Sequence, residues 1–195
     1  TNKLYLFICI TMLVATFIYN IREAFTMTYI ERIGSMKLGV SPETIGAILG
    51  VGALMAMVAS MAAGRAAANF GYKKSIFMGV LFSGFITIGL FHTENVNLFN
   101  GLILFWSPIF YFTWTLLMSM AAVLDDKGRV VSATGGFVLA AYAVGPGLAG
   151  YIIEKCGDAS IVQVMLWIVV LNLVFALLVG WYIDSKMKND NAGVA

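Results

Sequence analysis

Charge is scarce in this chain. Asp, Glu, Lys and Arg make up 11% of its 195 residues, against 61% hydrophobic residues and a mean hydropathy of +0.90. A soluble domain of this size needs far more charge to cover its surface, so a water-soluble globule is excluded. Histidine is scarcer still: His92 stands alone. There is no Ser/His pair at membrane depth, no carboxylate pair with His ligands and no Cys/His cluster, which leaves metal or acid–base catalysis few groups to use. The two cysteines, Cys9 and Cys156, fall at opposite membrane faces on the topology below, which excludes a disulfide framework or a shared metal. No phosphate-binding glycine loop is present, so the chain is not an ATP-driven motor subunit. Short alternating segments of the kind a β-barrel needs are missing too. The expectation is a protein that is not an enzyme and carries no cofactor.

What is present is a series of uncharged runs: 4–21, 44–64, 75–93, 95–124, 130–153 and 159–183. Each approaches the roughly 20 residues that a helix needs to cross a hydrocarbon core. Backbone in lipid must satisfy its own hydrogen bonds, so such runs are helices. The first hydrophobic stretch is followed by five more, unlike a cleaved signal peptide. The expected spans are 4–30, 44–69, 74–91, 98–122, 129–155 and 160–184, forming one bundle over 1–185, with a polar tail at 186–195. Six spans place both termini on one side. That side carries Lys3, Arg65, Lys73, Lys74, Lys127, Arg129, Lys186 and Lys188, whereas the other carries Arg32, Lys37 and Lys155. Eight against three predicts cytoplasmic termini in a plasma (inner) membrane protein.

The helices differ in character. Residues 4–19 reach only about 24 Å at 1.5 Å per residue, so the first span must continue to about residue 30 and take charges with it. An outer loop is expected over 34–40. Ser41, Pro42 and Glu43 then give a helix start, with a capping hydroxyl, a proline at the first helical position and an acid in the first turn. The second and fifth spans carry small residues at four-residue steps, Gly52, Ala56, Ser60, Gly64 and Ala141, Gly145, Ala149, which permit close helix approach. The first and fourth carry polar and aromatic groups at membrane depth, the fourth interrupted by Pro108. The third and sixth are plainer and suit lipid contact. The order polar, small, plain occurs twice and predicts two inverted three-helix repeats.

The segment Gly64-Arg65-Ala66-Ala67-Ala68-Asn69-Phe70-Gly71-Tyr72-Lys73-Lys74 resembles a degenerate copy of the major facilitator superfamily signature: a glycine, three residues, an acid, a base, any residue, a glycine and two basic positions. Gly64, Gly71 and Lys73 match. Ala68 stands where the family has its acid, while Arg65 and Lys74 keep the segment positive. The resemblance implies a tight cytoplasmic turn that helps lock one conformation; without it, the segment is a positive topogenic loop with glycine turns. Gly145-Pro146-Gly147 resembles the Gly-Pro motif of many antiporters of that superfamily. Physically, Pro146 removes a helical hydrogen bond and its glycines leave room for a bend, as a pivot or as a plain kink. Asp125-Asp126-Lys127-Gly128-Arg129 resembles the cytoplasmic turn before that helix. On this resemblance the fold is an all-α membrane protein, half of a major facilitator fold, corresponding to its helices seven to twelve. Beginning at Thr1 fits a chain whose first half is absent.

Arg22 and Glu23 are the strongest functional pointer. With the first helix centred near residue 17, Arg22 lies roughly 7 Å from the midplane, where a central arginine would cost roughly 2.5–3.5 kcal/mol in lipid. Such a group normally faces protein or water. Tyr19, Asn20, Arg22, Glu23 and Thr26 are expected to line a solute pathway, Arg22 holding an anionic or polar group and Glu23 taking up a proton. Neighbouring residues diverge by about 100° on a helix, so the pair is expected to neutralise each other poorly. The alternative is that Arg22 snorkels to the interface and Glu23 pairs with another helix. Trp106, Tyr111, Trp114 and Tyr142 are candidate stacking surfaces for substrate or ordinary packing groups. The chain is thus expected to be half of a secondary transporter of a small solute, proton-coupled, with the bilayer, a second six-helix half and its substrate as partners, and no nucleic acid. A six-helix membrane scaffold is the alternative.

Overall fold

The computed structural model describes residues 2–192 and holds, among them, six long helices and no strand. These are α1 (Asn2–Glu31), α2 (Pro42–Phe70), α3 (Tyr72–His92), α4 (Val96–Leu124), α5 (Arg129–Cys156) and α6 (Asp158–Ala192). All six are long and apolar enough to cross a membrane, and they match the six expected spans. The start of α2 forms as its residues dictate: the Thr44 amide donates to Ser41 Oγ at 3.2 Å, with Pro42 at the first helical position.

Three boundaries differ from expectation. The outer loop after α1 is shorter, because Arg32–Lys37 continues as a π-helical segment. Its Gly34 is buried, and a Cβ there would lie 2.5 Å from Ile45 Cδ1 and 2.8 Å from the Phe99 ring, so glycine lets this segment pack on α2 and α4 without displacing those side chains. Between α2 and α3 there is no loop; α2 runs through Gly64–Phe70 and Gly71 alone makes the turn. The tail expected at 186–195 is helical as far as Ala192, residues 193–195 lying outside the described residues. No glycine or proline stands between Asp184 and Ala192 to stop the helix.

Packing follows the small residues on α2 and α5. α2 lies along α4, α5 along α1, and α3 along α6; α3 also packs on α4, and α6 on α1. Lipid tails are as apolar as leucine, so membrane helices associate through close packing and hydrogen bonds, which small residues make possible. Gly52 illustrates this. A Cβ there would sit 2.8 Å from the Leu104 carbonyl oxygen of α4. Pro108, four residues on, has no amide to donate to that carbonyl, so the bare backbone of Gly52 meets the one carbonyl that the proline frees.

α3 is not the plain lipid-facing helix expected. Ser75, Gly79, Ser83 and Thr87 form a buried column at four-residue steps, enclosed between α4 and α6. The apolar core divides around it. One cluster, including Met12, Ile76, Leu117, Met120 and Val179, fills the basic end. Two smaller ones, around Phe99 and Ile103 and around Phe25 and Met165, fill the other.

Replacing Gly52 with Leu is expected to lower stability by about 1–3 kcal/mol through overpacking. Gly46→Leu, whose Cβ would meet nothing within 4 Å, is expected to leave it unchanged. Melting temperatures of detergent-purified protein compare the two.

Candidate functional site

Arg22 and Glu23 lie where the core divides, on the face of α1 turned toward α3 and α4. Both are 0% exposed. The expectation that they neutralise each other poorly is overturned. Arg22 Nε donates to Glu23 Oε1 at 3.1 Å and Nη2 to the same oxygen at 2.5 Å. The Cβ atoms of adjacent residues do diverge, but both side chains are long enough to turn back into one groove, and Ser83 of α3 sits there as a shared partner. Arg22 Nη2 donates to the Ser83 hydroxyl, which donates to Glu23 Oε1 at 2.9 Å. The second carboxylate oxygen accepts from Trp106 Nε1 at 2.9 Å. Snorkelling is excluded as well, since the guanidinium stays inside and lies 4.9 Å over the Tyr19 ring.

A buried ion pair must be fully hydrogen-bonded to offset its desolvation. Here the satisfaction is one-sided. Both Glu23 oxygens are engaged, whereas Arg22 Nη1 is buried with no hydrogen-bond partner among the described residues. A guanidinium presents a fork of donors matched to a carboxylate or phosphate, and one tine of this fork is free.

The other expected residues divide. Tyr19 is 0% exposed, and its hydroxyl donates to the Phe110 carbonyl at 3.2 Å. Thr26 donates to the Arg22 carbonyl at 3.1 Å and lies 3.4 Å from the Thr87 hydroxyl. Asn20 is buried but bonds only to the Thr16 carbonyl one turn back, at 2.8 Å. Trp106, Phe110 and Trp114 stack along α4 with centroid separations of 6.0 and 6.5 Å. Tyr111 meets Phe110 edge-on and is exposed, as is Tyr142 of α5. The structure therefore gathers Tyr19, Arg22, Glu23, Thr26 and Trp106 into one network and leaves Tyr111 and Tyr142 at its open margin.

The Gly145-Pro146 stretch of α5 abuts the same stretch of α1. A Cβ on Gly145 would lie 2.8 Å from Ala24 Cβ and 3.3 Å from the Ile21 carbonyl oxygen, so α5 presses its bare backbone onto the turn that carries the pair. Pro146 follows within the helix. At the basic end, Gly64 and Arg65 are exposed. Gly71 adopts φ 81°, which favours glycine, and its missing Cβ makes room for Asp184 of α6. That carboxylate accepts from the Tyr72 and Lys73 amides at 2.8 and 3.0 Å and so caps α3. Asp125 does the same for α5, accepting from the Arg129 amide at 2.7 Å and from its guanidinium at 3.0 Å. The hydrogen bond from the Arg129 side chain, against the cost of burial, lowers the Asp125 carboxyl from its ordinary value to about 2.

Sequence reasoning missed Ser83, Thr87, Asp184 and Asn172. The α3 column of small and polar residues at four-residue steps was a usable signal for the first two. Asn172, the lone amide in the apolar run of α6, is 0% exposed and donates to the Ala15 carbonyl at 2.7 Å. Asp184 gave no signal, because capping a helix from another helix leaves no local pattern. No protein-family model matches the chain, and no curated protein matches it significantly.

Two outcomes are expected. Arg22→Leu strands a buried carboxylate and should cost about 3–5 kcal/mol, whereas Arg22→Leu with Glu23→Gln should recover most of the loss, because the Gln carbonyl accepts from Trp106 while its amide donates to the Ser83 hydroxyl; melting temperatures decide. A carboxyl whose folded value lies below its unfolded value of about 3.9 stabilises the fold above that pH and loses the effect as pH falls toward 2. Asp125→Asn should therefore melt below wild type at pH 6, with the gap closing between about pH 4 and pH 2.

Proposed function

We propose that the chain is one six-helix half of a secondary transporter of the major facilitator type, moving a small solute by alternating access and coupled to protons. The observation that carries this reading is the buried Arg22–Glu23 pair with its unpartnered Nη1. A bundle needing only to be stable would do as well with apolar side chains there. Ionisable groups held at membrane depth mark solute, ion or proton routes by default. In this arrangement the pair is closed. An anionic group on the solute would bind first at Nη1 and then draw the guanidinium away from Glu23 Oε1. That oxygen would then be free to take a proton from one side and return it to the other, leaving no net change in the protein over a cycle.

Three further features support the reading. Exchanging α1 with α4, α2 with α5 and α3 with α6 turns the main helix pairings into one another: α2 on α4 becomes α5 on α1, and α3 on α4 becomes α6 on α1, although α4 on α5 has no comparable counterpart in α1 on α2 among the described residues. Two inverted three-helix repeats would give this pattern. The outer faces of α2 and α5 carry glycines that meet nothing within 4 Å, Gly46 and Gly50 on one and Gly135, Gly136 and Gly147 on the other. Such faces suit close packing against a second six-helix half. Finally, Gly145, beside Pro146, lies on the turn of α1 that carries the pair, so tilting α5 would move the pair itself. The basic end of the bundle is read as cytoplasmic.

The complete burial of the pair also favours a second reading, a non-transporting scaffold in which it is a fixed seam. Single cysteines at positions 20–26, in a background lacking Cys9 and Cys156, separate the two. In membranes containing the whole transporter, a hydrophilic maleimide should label Thr26→Cys or Asn20→Cys as the bundles rock. No labelling anywhere in this stretch would sink the transport reading. Arg22→Ala should abolish solute-driven proton flux while leaving the protein in the membrane.

A further inference from the structure

Two apolar grooves run side by side on the outside of the bundle at its basic end. The first, about 410 Å³, lies between α2 and α3 over α4; Phe70, Met78, Phe82, Ile109 and Phe112 line it, and Lys74 stands at its end. Lys74, Met78 and Phe82 follow at four-residue steps, so the groove extends about 12 Å from the lysine toward the membrane centre. The second, about 360 Å³, follows α2 past Val58, Met61 and Ala62, with Arg65 and Asn69 at its end. Ala66, Phe70 and Phe112 line both grooves. The second groove lies about 100° round α2 from its glycine face, so a bundle docked on that face leaves it open.

The heads of the two grooves are cationic. Among the described residues Arg65, Lys73 and Lys74 form no ion pair. Asp184, the acid that α6 brings to the start of α3, has both oxygens taken by the Tyr72 and Lys73 amides. Phe70, Met78, Phe82 and Phe112 in the first groove and Met61, Phe70 and Phe112 in the second give the walls their bulk, while Ala62, Ala66 and Gly79 form the recesses between them. Twin apolar channels, each ending in a free basic group at the interface, match a molecule with two hydrocarbon chains and one anionic head. Basic pockets between membrane helices hold lipid headgroups in this way.

We propose that the twin groove seats one anionic phospholipid, an acyl chain in each channel and its phosphate between Lys74 and Arg65. The inference rests on the membrane setting of the bundle and not on transport. Native mass spectrometry of the chain released from nanodiscs of equal phosphatidylglycerol and phosphatidylcholine reads it directly. Wild type should retain one phosphatidylglycerol in preference to phosphatidylcholine. Arg65→Gln with Lys74→Gln should weaken that retention about tenfold or more. Lys186→Gln with Lys188→Gln, which removes as much charge from the same end but none from the grooves, should leave it unchanged. Equal retention of the two lipids would overturn the proposal. So would equal losses in the two double variants, which would mean diffuse surface attraction. A loss of transport without a change in lipid retention would touch the functional reading alone.

Discussion

Placing an arginine and a glutamate side by side at membrane depth constrains most of what surrounds them. Neither can be left to lipid, and neither can be left to the other alone, because a guanidinium and a carboxylate together present more donors and acceptors than one contact satisfies. Ser83 and Trp106 therefore have to arrive at the same level from α3 and α4. That requirement fixes the register of three helices relative to one another. It also explains why the apolar core divides here, since a polar network needs its own walls. Tyr19 closes the lower side, with its ring under the guanidinium and its hydroxyl spent on the Phe110 carbonyl.

The same economy governs the basic end. A chain with ten acidic residues in all uses two of them, Asp125 and Asp184, to cap helix starts. Each carboxylate meets exposed amides where the helix dipole is positive. Asp125 works from the turn just before its helix, whereas Asp184 reaches across from α6, so the second cap is also a tertiary clasp. Gly71 makes it possible by turning the chain in one residue and leaving room for the carboxylate. The segment from Gly64 to Lys74 contains no acid of its own, and α6 supplies the carboxylate.

Much of the fold was legible because lipid leaves the backbone few options. Helix number, approximate limits, the Ser41 cap and the roles of Ala141 and Gly145 all follow from run length and small-residue spacing. The failures share a cause: they concern what lies beside a residue in space. The overall composition of α3 suggests a lipid-facing helix, although its buried column has the same four-residue period that marks α2 and α5. Backbone geometry alone argues against an Arg22–Glu23 contact, because it leaves out the reach of long side chains and the pull of a shared hydroxyl. Asn20 lies next to the pair in sequence, yet its hydrogen bond serves its own helix. Aromatic rings were the most ambiguous: Trp106 joins the network, while Tyr111, five residues on, faces outward.

What separates a seam from a route is whether the polar atoms are all spent. Glu23 is fully engaged, which alone would suit a fixed contact. Arg22 is not: one nitrogen of its fork is buried and idle, at the expense of desolvation with no compensating bond. A static bundle gains little from that arrangement, and replacing both members of the pair with apolar residues would remove the cost. A bundle that opens can use it, because the idle donor is the first point at which an anionic solute can displace the internal carboxylate, and the bare backbone of Gly145 lies against the turn that would have to move. On the transport reading proposed above, the idle nitrogen and the neighbouring Gly145-Pro146 stretch are the two features a moving site would use, and a fixed seam has no use for either.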